Sequence, residues 1–214
     1  MTPATTIVHV VRHGEVHNPS RVLYGRLPDF HLSQLGVEMA ERSADYLAGR
    51  DVVHVVSSPL ERAQETAAPI AARHDLEVAI DPRLIEAENA FEGTVVAGRR
   101  GALRRPATWR LLTNPLRPSW GEPYNRIAER MEVAVQAARE QACGHEAVLV
   151  SHQLPVWTLR RHLEGKRLWH DPRRRQCTLA SVTSVRYQGE RAVEVLYAEP
   201  VGELAEQAQP GAGA

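Results

Sequence analysis

The chain has 214 residues, enough for one ordinary α/β domain with a sizeable core, and its 26 basic side chains balance 26 acidic ones. With no net charge there is no overall field to recruit nucleic acid, so we expect no nucleic-acid partner. No basic segment followed by a long apolar run starts the chain, and no stretch is long enough to span a membrane. We therefore expect a cytoplasmic protein with no membrane contact.

The first predicted element is an apolar run, residues 7–11, whose β-branched content and length favour a buried strand. It leads directly into Arg12, His13 and Gly14. Ligands of α/β folds bind beyond the carboxyl ends of strands, so a histidine here is in place to act as base, metal ligand or nucleophile. The adjacent guanidinium favours an anionic substrate, above all phosphate. Because such a pair also arises by chance, the tripeptide alone leaves a structural role open.

A helix and a second buried strand are predicted next. Ser33 is the expected N-cap of the helix, which reaches about Gly49 because its apolar side chains recur along one face. Residues 52–56 form the strand. Strand and helix thus alternate, as they do in an α/β domain.

The residues after the second strand predict the start of another helix. Ser58 is a natural N-cap, Pro59 suits the first helical position, and Glu61 completes a capping box. Arg62 lies in the first turn, where the helix N-terminus repels positive charge. A phosphate held between the helix end and Arg62 would remove this conflict. A solvated arginine paired with Glu61 or Glu65 is the alternative.

The middle of the chain holds two helices, a short strand and an insertion. Residues 62–74 predict a helix that Pro69 kinks or shortens, and residues 77–80 a short strand. Residues 94–124 form an insertion rich in arginine and tryptophan, which we expect to be a lid over the pocket. A basic surface flap is the alternative. A long helix spans residues 124–142.

A third apolar strand, residues 147–150, ends in Ser151, His152 and Gln153 before a further helical stretch that reaches residue 163. Three strand ends therefore supply two histidines and two arginines. If the strands are parallel neighbours, these side chains converge on one pocket rich in positive charge. The four residues are Arg12, His13, Arg62 and His152.

In the C-terminal part of the chain, the spacing of the apolar residues changes to the two-residue alternation of a strand. Residues 179–187 and 192–198 alternate in hydrophobicity and predict a hairpin added to the sheet. We expect one domain over residues 1–201 and a disordered tail over residues 202–214, which are rich in Ala, Gln, Gly and Glu. The arginine run at residues 173–175 is interpreted as a solvated loop, with a substrate contact as the alternative.

Taken in order, these motifs resemble the histidine phosphatase superfamily, in the branch similar to cofactor-dependent phosphoglycerate mutases. The match runs from about residue 8 to about residue 163. The matching residues are Arg12-His13-Gly14-Glu15, Leu32-Ser33 with Gly36, Ser57-Ser58-Pro59-Leu60 with Arg62-Ala63 and Glu65-Thr66, Leu84-Ile85-Glu86, and Ser151-His152. The implied fold is a three-layer α/β/α sandwich around a mostly parallel mixed sheet.

The resemblance implies a two-step phosphoryl transfer. His13 would attack phosphorus and become a phosphohistidine, while Arg12, Arg62 and His152 surround the transferred group. Glu86 would protonate the leaving oxygen and later activate water. These roles fit the chemistry, since a neutral imidazole is a competent nucleophile near pH 7 and phosphoryl transfer depends on positioning and charge compensation.

Three positions depart from the family pattern or are ambiguous. Asn18, a further donor to phosphate, stands one residue nearer the nucleophile than the usual asparagine. Gln153, which we expect to contact substrate, replaces the glycine that usually follows the second histidine. Glu88 and Glu92 compete with Glu86 for the role of acid, and we favour Glu86.

No motif for a metal or cofactor is found. Ten histidines invite a metal hypothesis, but the chain has neither a His-Glu-x-x-His motif nor paired-cysteine spacing. No glycine-rich nucleotide loop occurs either, so we expect no cofactor and no metal.

The sequence favours a phosphomonoester hydrolase that acts on a small phosphorylated metabolite. The glycine- and tyrosine-containing stretches typical of phosphoglycerate mutases after the acid are missing. A mutase-like phosphotransferase using the same residues is the second interpretation. A non-catalytic phosphate-binding module is the third, and the oligomeric state stays open.

Overall fold

The computed structural model describes residues 4–95 and 121–208. Two short 3-10 turns, Pro82–Leu84 and Pro172–Arg174, accompany eleven helices and strands in these residues. In chain order they are β1 (Thr5–Arg12), α1 (Gln34–Leu47), β2 (Val52–Ser57), α2 (Glu61–Ala72), β3 (Val78–Ile80), α3 (Tyr124–Gln141), β4 (Glu146–Ser151), α4 (Gln153–Leu163), β5 (Val182–Gln188), β6 (Arg191–Ala198) and α5 (Leu204–Gln207).

Six strands form one mixed sheet in the order β3-β2-β4-β1-β5-β6. The first four run parallel, and the antiparallel β5–β6 hairpin continues the sheet beyond β1. The α/β fold with a mostly parallel mixed sheet is therefore confirmed. The hairpin's first strand begins later than residue 179, because Ala180 has a φ of 52°, which a strand does not accommodate.

Helices cover both faces of the sheet, which makes three layers. Alternate residues of β1 face opposite layers, as the two-residue period of a strand requires. Val10 belongs to the apolar cluster of α3 and α4, which includes Met131. Val11 belongs instead to the cluster of α1 and α2, which includes Ala44 and Ala67. Each fully buried aliphatic side chain of this kind stabilises the fold by about 1.5–3 kcal/mol.

Helix α1 begins where the sequence predicts, and its start fixes the loop that follows β1. The Ser33 hydroxyl accepts a hydrogen bond from the Gly36 amide at 3.0 Å. A Cβ atom on Gly36 would lie 1.9 Å from the Glu15 carbonyl oxygen, and one on Gly14 would lie 2.5 Å from the Gly36 oxygen. The loop after β1 therefore packs backbone against backbone on the first turn of α1.

The N-terminus of helix α2 differs from the prediction. The helix begins at Glu61, with Leu60 in the N-cap position and no side-chain cap, although Ser58 was the expected cap. The Ser58 hydroxyl lies 2.7 Å from His152 Nε2, whereas its distance from the Leu60 amide is longer, at 3.4 Å. Its stronger hydrogen bond is therefore to the histidine and not to the start of the helix. Pro69 lies inside the helix and does not end it.

The C-terminal segment corrects part of the predicted disordered tail. Residues 202–208 belong to the described structure, and Leu204–Gln207 form one helical turn. Leu204 and Ala205 pack on Met39 and Val201. These apolar contacts hold the segment in place, although its overall composition predicts disorder. Residues 209–214 of the predicted tail lie outside the described residues.

Residues 96–120, most of the predicted lid, also lie outside the described residues. At the borders of that segment, Gly121 forms an isolated antiparallel bridge with Asn89. Across residues 4–95 and 121–208, no helix is long and apolar enough to cross a membrane.

Candidate active site

The loops that follow β1, β2 and β4 start side by side at one edge of the sheet. Arg12 pairs with Ser151 in the parallel register of β1 and β4. Just beyond it, the His13 amide donates to the Ser151 carbonyl at 3.0 Å, and the Ser58 amide donates to the Val150 carbonyl at 2.9 Å. These hydrogen bonds hold the three strand ends together, so the side chains that follow them share one space.

The two predicted histidines meet in that space. The rings of His13 and His152 lie edge to face with centroids 5.1 Å apart, and both side chains are completely buried. His13 Nδ1 lies 2.7 Å from the Gly14 carbonyl oxygen. Because a carbonyl can only accept, Nδ1 carries the proton and Nε2 keeps its lone pair, which has no partner among the described residues.

Burial keeps both imidazoles neutral. It is the main cause that lowers the pKa of His13 well below 6.5, and the charges of Arg62 and Arg12 lower it further. Burial likewise lowers the pKa of His152 well below 6.5, with His13 and Arg62 adding to the effect. The Ser58 hydroxyl bonds to His152 Nε2, and Nδ1 of that ring is buried with no hydrogen-bond partner among the residues that the structure describes.

Two guanidinium groups line the same space. Arg12 Nη1 donates to the Cys177 carbonyl at 2.7 Å, while its Nε–H has no partner in the described residues. Arg62 is fully buried and donates through Nη2 to the Gly25 carbonyl, while its Nε and Nη1 have no partner in the same part of the chain. The Tyr24 ring lies 4.7 Å from the Arg62 guanidinium carbon, so one face of this cation is covered by an aromatic group.

The geometry of Arg62 differs from that of a solvated arginine paired with Glu61 or Glu65. Its side chain is 0% exposed. Glu65 instead bonds to the His31 ring and accepts from the Leu32 amide at 2.7 Å. Arg62 therefore points into the site with unused N–H groups, as the phosphate interpretation requires.

Glu86 is the carboxyl group that faces the site. It follows the turn Pro82–Leu84 and is 4% exposed. Its Oε1 accepts from the Ala87 amide at 2.7 Å, and its Oε2 is buried with no hydrogen-bond partner in residues 4–95 and 121–208. Burial raises the pKa of Glu86. Arg26 fixes the segment, since its Nε donates to the Glu86 carbonyl at 2.6 Å.

The competing acids are placed differently. The Glu88 side chain is 68% exposed and forms an ion pair with Arg26 at 2.9 Å. Glu92 Oε1 accepts from the Arg26 amide at 3.1 Å. Both carboxylates thus hold the loop around Arg26, whereas Glu86 lies where the charges of Arg62, Arg175 and Arg12 act on it.

Asn18 and Gln153 use their amides within the protein. The Asn18 side chain donates to the Val22 carbonyl at 2.8 Å and accepts from the Val22 amide at 3.2 Å, which closes its own turn. Gln153 donates to the Cys177 carbonyl at 3.4 Å and accepts from Arg175 Nη1 at 3.2 Å. The structure thus places Arg175 beside the site, a residue that the sequence grouped with a solvated run. Its position has no signal in the sequence pattern.

The buried atoms without hydrogen-bond partners identify the kind of ligand that would fit. Within the part of the chain described here, those at the site comprise five nitrogens and one oxygen. They are Arg12 Nε, His13 Nε2, Arg62 Nε and Nη1, His152 Nδ1 and Glu86 Oε2. A buried polar group left unpaired costs about 1–3 kcal/mol. A tetrahedral oxyanion such as phosphate offers acceptors to the N–H donors in this set.

In residues 4–95 and 121–208, no three or more His, Cys, Asp or Glu side chains form a group that could hold a metal ion.

Comparison with known proteins gives consistent results. The family model of the histidine phosphatase superfamily (branch 1) matches residues 8–200. "Uncharacterized protein Rv0525" of Mycobacterium tuberculosis H37Rv is 64% identical over 198 residues, covering 92% of this chain and 98% of the relative. "Probable phosphoglycerate mutase GpmB" of Yersinia pestis is 31% identical over 198 residues, covering 85% of each chain.

A solved structure shares the fold. Mycobacterial glucosyl-3-phosphoglycerate phosphatase Rv2419c in complex with VO3 superimposes with a TM-score of 0.70 at 25% sequence identity, covering 90% of this chain and 97% of that one. The resemblance that the motifs predicted is thus confirmed over most of the chain. From the family match and the relatives together, this chain belongs to the histidine phosphatase superfamily.

Proposed function

We propose that this protein hydrolyses a phosphomonoester through a covalent phosphohistidine at His13. The observation that supports this most directly is the state of His13 Nε2, a buried nitrogen with a free lone pair. It lies beside two arginines, of which Arg12 Nε and Arg62 Nε and Nη1 are buried without a hydrogen-bond partner in residues 4–95 and 121–208. A nucleophile and a set of oxyanion donors therefore occupy the same space.

In the first step, the Nε2 lone pair of His13 forms a bond to phosphorus as the bond from phosphorus to the leaving oxygen breaks. The protonated Glu86 carboxyl gives its proton to that oxygen. Burial raises the pKa of Glu86, which favours the protonated form that this step needs. Arg12 and Arg62 compensate the charge on the phosphoryl oxygens, and the neutral His152 donates a hydrogen bond to them through Nδ1.

In the second step, water attacks the phosphohistidine. Glu86, now a carboxylate, takes a proton from the water as the new bond to phosphorus forms. The bond from phosphorus to Nε2 breaks, and inorganic phosphate leaves. His13 regains its lone pair while Nδ1–H stays on the Gly14 carbonyl. No other group needs to gain or lose a proton.

A phosphoglycerate-mutase-like transfer is the second candidate, favoured by the relative named "Probable phosphoglycerate mutase GpmB". It would use the same residues, with a substrate hydroxyl in place of water. A non-catalytic phosphate-binding module explains less, since binding alone needs neither a free nucleophilic nitrogen nor a buried acid.

Rapid-quench labelling separates these functions. The protein is mixed with phosphomonoesters radiolabelled in the phosphoryl group, including 3-phosphoglycerate, and quenched on the millisecond scale. We expect an acid-labile protein label that appears transiently and discharges to water. Discharge to a sugar acid would identify a mutase, and binding without any label would identify the module.

Two histidine variants complete this experiment. His13→Ala should form no label and no product, because the attacking nitrogen is gone. His17→Ala is the matched control, since His17 lies four residues away on the exposed surface, and it should label as the unmodified protein does. A full label on His13→Ala would refute the assignment of the nucleophile.

A further inference from the structure

Arg175 differs from the two arginines that precede it. Arg173 is exposed and pairs with Asp171 at 2.9 Å, and Arg174 is exposed as well. Arg175 is half-buried, and burial lowers its pKa. A cation that leaves water in this way needs groups that hold it.

Three side chains contact the Arg175 guanidinium: His170, Gln153 and the hydroxyl of Tyr124. Its Nε donates to His170 Nε2 at 2.9 Å, and its Nη1 donates to Gln153 Oε1 at 3.2 Å. His170 is buried, and its Nδ1 donates to the Leu168 carbonyl at 2.7 Å. His170 Nε2 therefore presents a lone pair, and burial lowers the pKa of His170, which keeps it neutral.

The same hydrogen bonds place Arg175 beside the catalytic pocket. Gln153 Nε2 donates to the Cys177 carbonyl at 3.4 Å, and Arg12 Nη1 donates to that same oxygen at 2.7 Å. Arg175, through Gln153, and Arg12 are thus linked to the same carbonyl oxygen of Cys177. Both charges act on Glu86.

Arg175 is held, but it is not neutralised. Within residues 4–95 and 121–208, no carboxylate forms an ion pair with it, and its polar partners His170, Gln153 and Tyr124 are uncharged. The acidic group whose charge acts on it most is Glu86, and burial raises the pKa of that carboxyl. Arginine presents a planar fork that matches a carboxylate or a phosphate group. The pocket thus has a cation beyond the two that face the phosphoryl group.

We propose that Arg175 binds a second anionic group of the substrate. The substrate class is then a phosphomonoester that carries a carboxylate or a second phosphate. This proposal rests on the proposed function for its first phosphate site. Gln153, at the position where the family usually has glycine, is a positioning residue that orients Arg175 rather than a substrate contact.

The test uses matched pairs of probes that differ in one anionic group. 3-Phosphoglycerate is compared with glycerol 3-phosphate, in which a hydroxymethyl group replaces the carboxylate. Propane-1,3-diol bisphosphate is compared with its monophosphate. The ratio of kcat/KM within each pair is measured for the unmodified protein and for Arg175→Gln, Arg175→Lys and Arg174→Gln.

We expect the unmodified protein to prefer the member with two anionic groups in at least one pair. Arg175→Gln should reduce that preference by about 10- to 100-fold, the effect of one charge-assisted hydrogen-bonded pair. Arg175→Lys keeps the charge and should recover part of the preference. Arg174→Gln, the matched control on the exposed side of the turn, should leave it unchanged.

Two outcomes would overturn the proposal. One is equal use of both members in each pair by the unmodified protein. The other is an Arg175→Gln variant that loses activity equally on both members with a shifted pH profile, which would mean that Arg175 serves only as the charge partner of Glu86.

Calorimetric binding of the same pairs keeps this proposal separate from the catalytic one. If the unmodified protein turns over no probe, the proposed function fails, but tighter binding of 3-phosphoglycerate than glycerol 3-phosphate that Arg175→Gln abolishes would still support the subsite. Thermal unfolding of each variant shows whether it folds. If Arg175→Gln does not fold, Arg175→Lys and Gln153→Leu take its place.

Discussion

His13 and Glu86 are both buried beside the same guanidinium groups, yet burial moves their pKa values in opposite directions. It lowers the pKa of the histidine and raises that of the carboxyl group, because in each case the neutral form is favoured. The proposed first step needs those two neutral forms together. The environment of the site therefore favours the neutral forms that the proposed nucleophile and the proposed acid need before substrate binds.

The pH dependence of Glu86→Gln tests this arrangement. In the unmodified protein, kcat/KM should fall at low pH as His13 becomes protonated, below its ordinary value of 6.5, and fall at high pH as Glu86 loses its proton. Glu86→Gln should lower kcat by about 10²–10⁴-fold and remove the high-pH decline. The measurement is kcat/KM from about pH 4 to about pH 9.

Glu88→Gln is the control for that experiment, since Glu88 is exposed and paired with Arg26. It should keep kcat and the pH profile of the unmodified protein. If instead Glu88→Gln were the damaging change and Glu86→Gln harmless, the assignment of the acid would be wrong.

Some site residues can be predicted from the sequence because of their place at strand ends, whereas others are recognised only from contacts in the folded chain. Arg12, His13 and His152 follow apolar strands directly, so their place at one sheet edge can be read from the order of residues. Arg175 carries no such signal. What distinguishes it from Arg173 is its contact with Gln153, which lies 22 positions earlier in the chain, and with His170 of the same loop.

Among the elements, the contact between the β1 loop and α1 controls the position of the nucleophile. Gly14 and Gly36 let two backbones approach more closely than any side chain would allow. His13 precedes Gly14 directly, and its Nδ1 donates to the Gly14 carbonyl. A shift of this contact would therefore move the imidazole of His13, the proposed nucleophile.

Gly36→Ala tests the importance of this contact. Its new Cβ would lie 1.9 Å from the Glu15 carbonyl oxygen, so the backbone must move. We expect a loss of about 1–3 kcal/mol in the free energy of unfolding and a fall in kcat. Denaturant unfolding and steady-state kinetics measure the two effects.

Gly49→Ala, just beyond the same helix, is the matched control, because a Cβ there meets nothing within 4 Å. It should change the free energy of unfolding by no more than about 0.5 kcal/mol. Equal effects of the two substitutions would mean that close backbone packing is not what Gly36 provides.

The elements also show where local signals mislead. Ser33 caps α1 as its pattern predicts, since its hydroxyl has the Gly36 amide within reach. Ser58 shows the same local pattern but is drawn to His152, which lies 94 positions away in the chain. An N-cap hydrogen bond contributes about 1 kcal/mol, whereas leaving a buried polar group such as His152 Nε2 unpaired costs about 1–3 kcal/mol. The hydrogen bond to the histidine is therefore favoured over the cap.

For the molecule as a whole, the unpaired donors of the site make folding stability sensitive to bound anions. A ligand that binds only the folded state at a hundred times its Kd stabilises it by about 2.7 kcal/mol. In a domain of this size, that corresponds to a rise of about 5–10 °C in Tm. Inorganic phosphate or vanadate should therefore raise the Tm, measured by differential scanning calorimetry.

Arg62→Gln should abolish this rise, because it removes two of the buried N–H groups that lack partners. Arg174→Gln, which changes an exposed arginine, should preserve it. A rise in Tm that survives Arg62→Gln would place the anion elsewhere on the protein.

The position of β1 in the sheet has a consequence for synthesis of the chain. This strand lies between β4 and β5, and His9 within it bonds to side chains 137 and 175 residues further on. During translation, β1 leaves the ribosome long before its neighbours β4 and β5 are made. Its backbone therefore has no strand to pair with on either edge until most of the domain has been synthesised. Contacts of such long range slow folding and expose nascent strands to aggregation. We expect chaperones to bind this first segment, and C-terminal truncation within β5 to abolish soluble expression.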